Sequence, residues 1–352
     1  MNRKMKNITL KVAAVWLAYA CIIIWFIYRI QGESIILFPT DVKYSFILNR
    51  ITLYAIVLCL SLMMLFCIYA VMNAIKFKWI FRGGYGALII LAALVFSHDT
   101  LKNPDDSWTS YPIAHAMGAI DGYDYTNSLE AFEYNYSLGH RVFEVDFSVT
   151  SDGKMACMHD WNFGYQDGVD SEHIPSEETF KSIPIAGKYT ALTLKDLLLL
   201  MEEYEDIYIV TDTKSGGAKI AEHMEIIMET VRETGTEDVL DRLIIQMYKP
   251  NMYEKIKNVY DFPLMILTLY SSGWDETSEG FLPICRFCKN NNIRYITMWW
   301  YLATPEILDI AKSYGITVFV HTVNDLDMAE ELIQSGVGGV YTDELVPSLF
   351  WD

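Results

Sequence analysis

Two acidic side chains two residues apart, Glu144 and Asp146, stand in the stretch RVFEVDFS at 141–148. In an extended strand that spacing puts Glu144, Asp146 and Ser148 on one face and Phe143, Val145 and Phe147 on the other. Two carboxylates on a strand otherwise built for burial are costly unless a positive charge sits between them. A bound metal ion meets that need. A second pair with the same spacing, Asp212 and Lys214, closes another apolar run, and histidines end two more: His115 after YPIA and His159 after MACM. Imidazoles titrate near neutral pH and can carry protons beside a metal. The chemistry open to this set is metal-assisted acid–base catalysis. Each member also has a plainer reading: an ion pair for Asp212 with Lys214, a core imidazole for either histidine, a turn cap for Asp160, a satisfied polar residue for Gln246, packing for Trp299 and Trp300. His321 ends a strand and is a weaker candidate; His98, His140, His173 and His223 stand in linker, loop or helix contexts and receive no role.

The elements that must position these residues alternate from 111 onward. Strand patterns fall at 113–115, 142–147, 207–213, 243–248, 264–269, 295–298, 317–321 and 339–341, with helical patterns at 126–138, 193–204, 218–234, 304–314 and 325–334 among them. Eight strands with intervening helices predict a (β/α)8 TIM barrel; a doubly wound open sheet is the runner-up, weakened by the lack of a nucleotide-binding glycine motif. In a parallel barrel, reactive groups gather at the C-terminal strand ends, where His115, the acid pair and Asp212 with Lys214 fall. Residues 161–192 read as a long polar loop over the site.

Charge divides the chain. Residues 1–100 hold 10 Lys/Arg against 3 Asp/Glu, and residues 101–352 hold 17 against 42, balances of +7 and −25. So acidic a domain argues against a nucleic-acid partner. Apolar runs at 8–30 and 51–74, and a shorter one at 83–97, predict an N-terminal region, 1–100, of two to three transmembrane helices in a lipid bilayer. Basic residues before the first run and at Lys76, Lys78 and Arg82 place those segments in the cytoplasm, so three spans put the acidic domain outside the cell membrane and two leave it inside. A linker is expected at 101–110 and a catalytic domain at 111–352. Cys285 and Cys288 form a CxxC without further ligands at zinc spacing, so two thiols on one helix face are expected rather than a metal site.

The order His115, Asn127-Ser128-Leu129-Glu130-Ala131-Phe132, Gly139, Glu144-x-Asp146, Thr150-x-Asp152-Gly153, His159-Asp160 resembles the glycerophosphodiester phosphodiesterase family, with its H-R-G, E-N-T-x-x-A-F, E-x-D, T-x-D-G and H-D. Further on, Asp212-x-Lys214 is similar to its E-x-K, His321-Thr322-Val323-Asn324 to its W-T-V-N, and the run from Gly338 to Asp343 to its G-x-x-T-D. The family is also similar to phosphatidylinositol-specific phospholipase C. The resemblance implies a TIM barrel; one divalent cation, Ca2+ or Mg2+, on Glu144, Asp146 and Asp212; His115 and His159 as general base and acid; and Lys214, with Gln246 and Asn127, toward the substrate phosphodiester. Two positions depart: Ala116 replaces the arginine of H-R-G, giving HAMG, and Thr126 replaces the glutamate of E-N-T. An alanine cannot supply an arginine's bidentate phosphate contact. A phosphodiesterase of small or lipid-like phosphodiesters and a barrel that only binds such groups or a partner therefore both remain open.

Overall fold

A computed structural model describes residues 106–350 apart from 215, 216, 218, 271 and 272. The apolar runs at 8–30, 51–74 and 83–97 lie outside these residues. Among the described residues, no helix is long and apolar enough to cross a membrane.

Short, mostly apolar runs form β1 (Ile113–Ala114), β2 (Val142–Val149), β3 (Met155–Cys157), β4 (Tyr208–Asp212), β5 (Leu243–Met247), β6 (Leu264–Thr268), β7 (Tyr295–Trp299), β8 (Thr317–His321) and β9 (Gly339–Thr342). All but β3 are parallel, in the order β1-β9-β8-β7-β6-β5-β4-β2, and β1 also pairs with β2. That last pairing closes the sheet into an eight-stranded barrel and excludes the open-sheet alternative. Helices return the chain between strands: α1 (Leu129–Ser137), α2 (Glu177–Ser182), α3 (Leu194–Glu203), α4 (Ile220–Thr234), α5 (Tyr253–Val259), α6 (Ser278–Asn290), α7 (Pro305–Ser313) and α8 (Leu326–Gln334). Their starts follow local chemistry. Ser128 caps α1 through Ala131 N, and Thr193 with Asp196 closes a reciprocal capping box on α3. Hence α1 begins three residues later than the pattern at 126–138 suggests.

β2 does two jobs. Val142 to Asp146 pair with β4 inside the barrel, while Phe147 to Val149 run beyond it and pair antiparallel with β3. The segment ending at His159 is thus the return arm of a hairpin, not a barrel strand. The following loop is more ordered than the polar reading implied: it contains α2, and Trp161, Phe180, Ile185 and Tyr189 pack with Ala156 and Met158 into a separate apolar cluster. Cys285 and Cys288 are free, buried thiols on α6, as expected of two cysteines on one helix face.

Alternation along the strands gives two cores. Phe143, Val145, Ile209, Ile245 and Leu267 pack outward under the helices. Val142, Val210, Ile244, Ile266 and Phe319 fill the barrel floor together with Trp108. Trp108 comes from the stretch read as linker. A 3-10 turn at Ser107–Ser110 drives its indole into the barrel, stacked on Phe319 with ring centres 5.1 Å apart. Asp106 bonds Arg294 and Tyr295 beside it. The linker expectation is corrected here: from Asp106 the segment is part of the barrel, because only a large apolar group closes its lower end. Truncating Trp108→Ala should cost about 3–5 kcal/mol of unfolding free energy, against little for the exposed Trp300→Ala, in urea melts of the two variants.

His140 is buried beside backbone groups of Pro112 and Leu345, and burial, outweighing those bonds, pushes its imidazole down to about 4 from 6.5. The unfolded chain therefore binds more protons between those two pH values, and this contribution to stability is complete above 6.5 and lost as pH falls. The stability difference between the wild-type chain and His140→Asn should accordingly shift in favour of the variant from pH 7 to pH 5, read from urea midpoints at both.

Candidate active site

In a parallel barrel the register fixes neighbours, and Asp146 on β2 pairs directly with Asp212 on β4. Glu144 lies one inward step back on β2. Oxygens of these three buried carboxylates lie within 4.8 Å of one another. Lys214 follows β4 with a left-handed backbone, φ 49°, which curls it over the strand end. Its Nζ is 2.7 Å from Asp146 Oδ1 and 2.7 Å from Asp212 Oδ2. Its own amide donates to Asp212 Oδ1 at 3.0 Å. The Tyr248 hydroxyl also donates to Asp212, and Gln246 Nε2 donates to that hydroxyl at 3.3 Å.

Both candidate histidines are held the same way. His115 Nδ1 bonds Asp343 Oδ1 at 2.8 Å, and His159 Nδ1 bonds Asp160 Oδ2 at 2.8 Å. Each ring thus keeps Nε2 for another partner. His115 Nε2 is 3.9 Å from Glu144 Oε2. Asn324 donates to Asp343 Oδ2 at 2.8 Å and accepts from the Asp343 amide at 2.8 Å. Tyr125 lies between the two imidazoles, with ring centres 4.7 Å from His115 and 5.1 Å from His159. His115, His159, Tyr125, Glu144, Asp212, Lys214 and Gln246 line one cavity of about 200 Å3, together with the rings of Tyr270, Trp299, His321 and Tyr341.

The turn after β1 is built on unusual backbone. Ala116 and Met117 have φ of 47° and 68°, and the Ala116 amide donates to Glu144 Oε2 at 2.8 Å. Gly118, φ 81°, sits so close to Asn135 that a Cβ there would meet its amide nitrogen at 2.5 Å. Asn135 Nδ2 lies within hydrogen-bond distance of the carbonyls of Met117, Ala119 and Ala131, and so fastens the turn to α1.

Electrostatics reflect the crowding. Burial, then the neighbouring Asp146, lifts the Glu144 carboxyl to about 8. Burial would also raise Asp146, but the Lys214 ammonium outweighs it and holds that carboxyl below the usual range. Asp212 is raised, chiefly by burial, despite the same lysine. Burial opposes protonation of His115, yet the Asp343 bond and the Glu144 charge together lift it to about 9. His321, buried and beside His115, is pushed down to about 3. The donor set suits a hard divalent cation: three carboxylates, all oxygen, carry more negative charge than Lys214 offsets. Asp146 Oδ1 also accepts no well-aligned hydrogen bond, although Lys214 Nζ lies near it.

The structure therefore brings together His115, His159, Glu144, Asp146, Asp212, Lys214 and Gln246. Asn127 is the exception. It is fully buried, and its amide donates to Asp146 Oδ2 at 3.0 Å while its oxygen accepts from Asp146 N at 3.1 Å. The expectation that it faces substrate is corrected: both ends of the amide are engaged in holding Asp146. Sequence reasoning missed Asp343, Tyr125, Tyr248, Tyr270 and Asn135. Asp343 alone had a signal, as the last residue of the T-D pair. Trp299 and His321, read as packing and as a weak candidate, line the cavity.

Residues 111–346 match the glycerophosphoryl diester phosphodiesterase family. A glycerophosphodiester phosphodiesterase of Caldanaerobacter subterraneus is 22% identical over 227 residues, covering 62% of this chain and 88% of that one. An Oleispira antarctica phosphodiesterase solved with the product sn-glycerol-3-phosphate superimposes with a TM-score of 0.55 at 16% identity, covering 69% of this chain and 97% of that one. A Parabacteroides distasonis glycerophosphodiester phosphodiesterase does so with a TM-score of 0.52 at 16% identity, covering 66% and 92%. At these identities the structural likenesses show the fold. With the family match spanning the whole barrel, the chain belongs to the glycerophosphoryl diester phosphodiesterase family, a family of phosphoric diester hydrolases.

Proposed function

We propose that the chain is a metal-dependent phosphodiesterase that hydrolyses a glycerophosphodiester, or a related phospholipid or cell-surface phosphodiester, by two-histidine acid–base catalysis. One observation carries this reading: two imidazoles, each tied through Nδ1 to a carboxylate, face the cavity that also holds the buried carboxylates and Lys214. The glycerol phosphate bound by the Oleispira relative supports a small phosphodiester of that kind as substrate.

Glu144, Asp146 and Asp212 hold one Ca2+ or Mg2+ in this reading. When bound, such a cation offsets the phosphodiester anion and polarises a phosphoryl oxygen. With the Glu144 charge that raises it offset by a bound cation, His115 would give up its proton and take that of a neighbouring glycerol hydroxyl at Nε2, Asp343 holding Nδ1. His159 hands a proton from Nε2 to the departing alcohol, with Asp160 as its support. A cyclic phosphate forms and water then opens it. Lys214 lies against the phosphate, Gln246 lines the same cavity, and Asn127 keeps Asp146 in place.

Ala116 favours a second reading, a barrel that binds a phosphodiester or partner without turnover, because it leaves the cavity without an arginine. The complete set of histidines and carboxylates favours the enzyme. In either case, residues 1–100 tether the chain to the cell membrane, and three spans put the barrel outside the cytoplasm; the three apolar runs and the basic residues before the first and between the second and third support this.

Turnover of a panel of glycerophosphodiesters and lysophospholipids by the full chain is the direct test. His159→Ala and His115→Ala should each lower kcat by about 10²–10⁴-fold, with the circular dichroism of the His159 variant unchanged. EDTA should abolish turnover and added Ca2+, Mg2+ or Mn2+ restore it; full activity in EDTA would remove the metal, and no turnover of any substrate with all three cations would favour the binding module. A C-terminal reporter active only outside the cytoplasm should be active; a silent one would mean two spans or the opposite orientation.

A further inference from the structure

Lys214 holds an unusual place for a residue that must also meet the substrate. Its ammonium sits between Asp146 and Asp212, 2.7 Å from an oxygen of each. A divalent cation bound by oxygens at about 2.0–2.6 Å would draw on the same two carboxylates and the same space. Like charges repel, so an ammonium 2.7 Å from an oxygen of each carboxylate competes with a cation that binds the same pair. The ammonium and the cation are therefore alternatives at one position.

We infer that Lys214 is the built-in counter-ion of the metal-free barrel, and that cation binding displaces its ammonium into the cavity, where it becomes the phosphate's cationic partner in place of the arginine that Ala116 lacks. The inference rests on the metal-dependent reading above and deepens it.

Three features make the exchange workable. Asp146 Oδ1 accepts no well-aligned hydrogen bond, so proximity and charge rather than geometry tie it to Lys214. The Lys214 side chain is 33% exposed while that of Asp146 is 0% exposed, so the lysine reaches the carboxylates from the solvent side. It already lines the cavity shared by His115 and His159. A lysine suits the move better than an arginine, because its ammonium is a point charge on a flexible four-carbon stem rather than a planar fork. Ala116 meanwhile offers only its backbone, whose amide is bound to Glu144. Among the described residues that line the cavity, Lys214 is the sole lysine or arginine. Cation and phosphate binding are thus coupled: the cation frees a positive charge for the phosphate, and a bound phosphate keeps that charge away from the carboxylates.

The test uses the full-length protein in detergent. Calorimetric titration with Ca2+, Mg2+ and Mn2+ should show Lys214→Met binding its preferred cation about tenfold more tightly than the wild-type chain. Glycerol 3-phosphate should bind the wild-type chain more tightly with that cation than without it, a gain that the variant loses. Because Lys214→Met removes a buried counter-ion and could fail to fold, a second measurement uses the wild-type chain alone. Trace acetylation read by peptide mass spectrometry should rise at Lys214 on saturation with the cation, relative to Lys188. Equal cation affinity in both forms, or Lys214 labelling that the cation leaves unchanged, overturns the inference and leaves the metal reading standing. No binding of any of the three cations to either form overturns both.

Discussion

The constraint on which the rest depends is negative charge forced into close quarters. Parallel pairing sets Asp146 beside Asp212, and the two-residue period of the strand adds Glu144 to the same wall. Like charges on adjacent strands destabilise a sheet, and these three are buried. The structure answers with an ammonium between two of them, backbone and side-chain donors on their outer oxygens, and a carboxyl group, that of Glu144, displaced toward its neutral form. Each response is partial. Three buried acidic groups with oxygens this close at the open end of a barrel are compatible with a divalent cation.

Holding that arrangement uses backbone that most residues avoid. Ala116, Asn127 and Lys214 all lie at positive φ without being glycine. Each touches one of the crowded carboxylates: Ala116 by its amide to Glu144, Asn127 by its side chain to Asp146, Lys214 by both to Asp212. Strain of this kind costs about 1–3 kcal/mol per residue and persists only where the surroundings over-determine it. Here the surroundings do so: Asn135 fastens the turn that carries Ala116, and Asn127 makes reciprocal bonds with Asp146.

Much of the barrel was legible in the chain because strand and helix periods repeat, and strand ends gave away His115, Glu144, Asp146, Asp212 and Lys214. What escaped was whatever depends on closure. Asp343 meets His115 only because β9 pairs with β1, 228 residues apart in sequence. Trp108 looked like linker because a single apolar residue among polar ones has no period to announce it. Asn127 had the right neighbourhood and the wrong direction, since a positive φ turns its amide back toward the strand. Tyr270 and Trp299 become a wall only once β6, β7 and β8 stand side by side.

The hairpin that ends at His159 has a consequence of its own. His115 belongs to the barrel proper, whereas His159 rides on an arm that leaves it after Asp146 and packs on the separate cluster around Trp161 and Phe180. The two imidazoles therefore stand on different mechanical foundations. Insertions or substitutions in that outer lobe can reposition one of them without touching the strands that carry the carboxylates. The scaffold thus sets the carboxylate wall on barrel strands and one imidazole on a lobe with its own core, so the two parts can change independently.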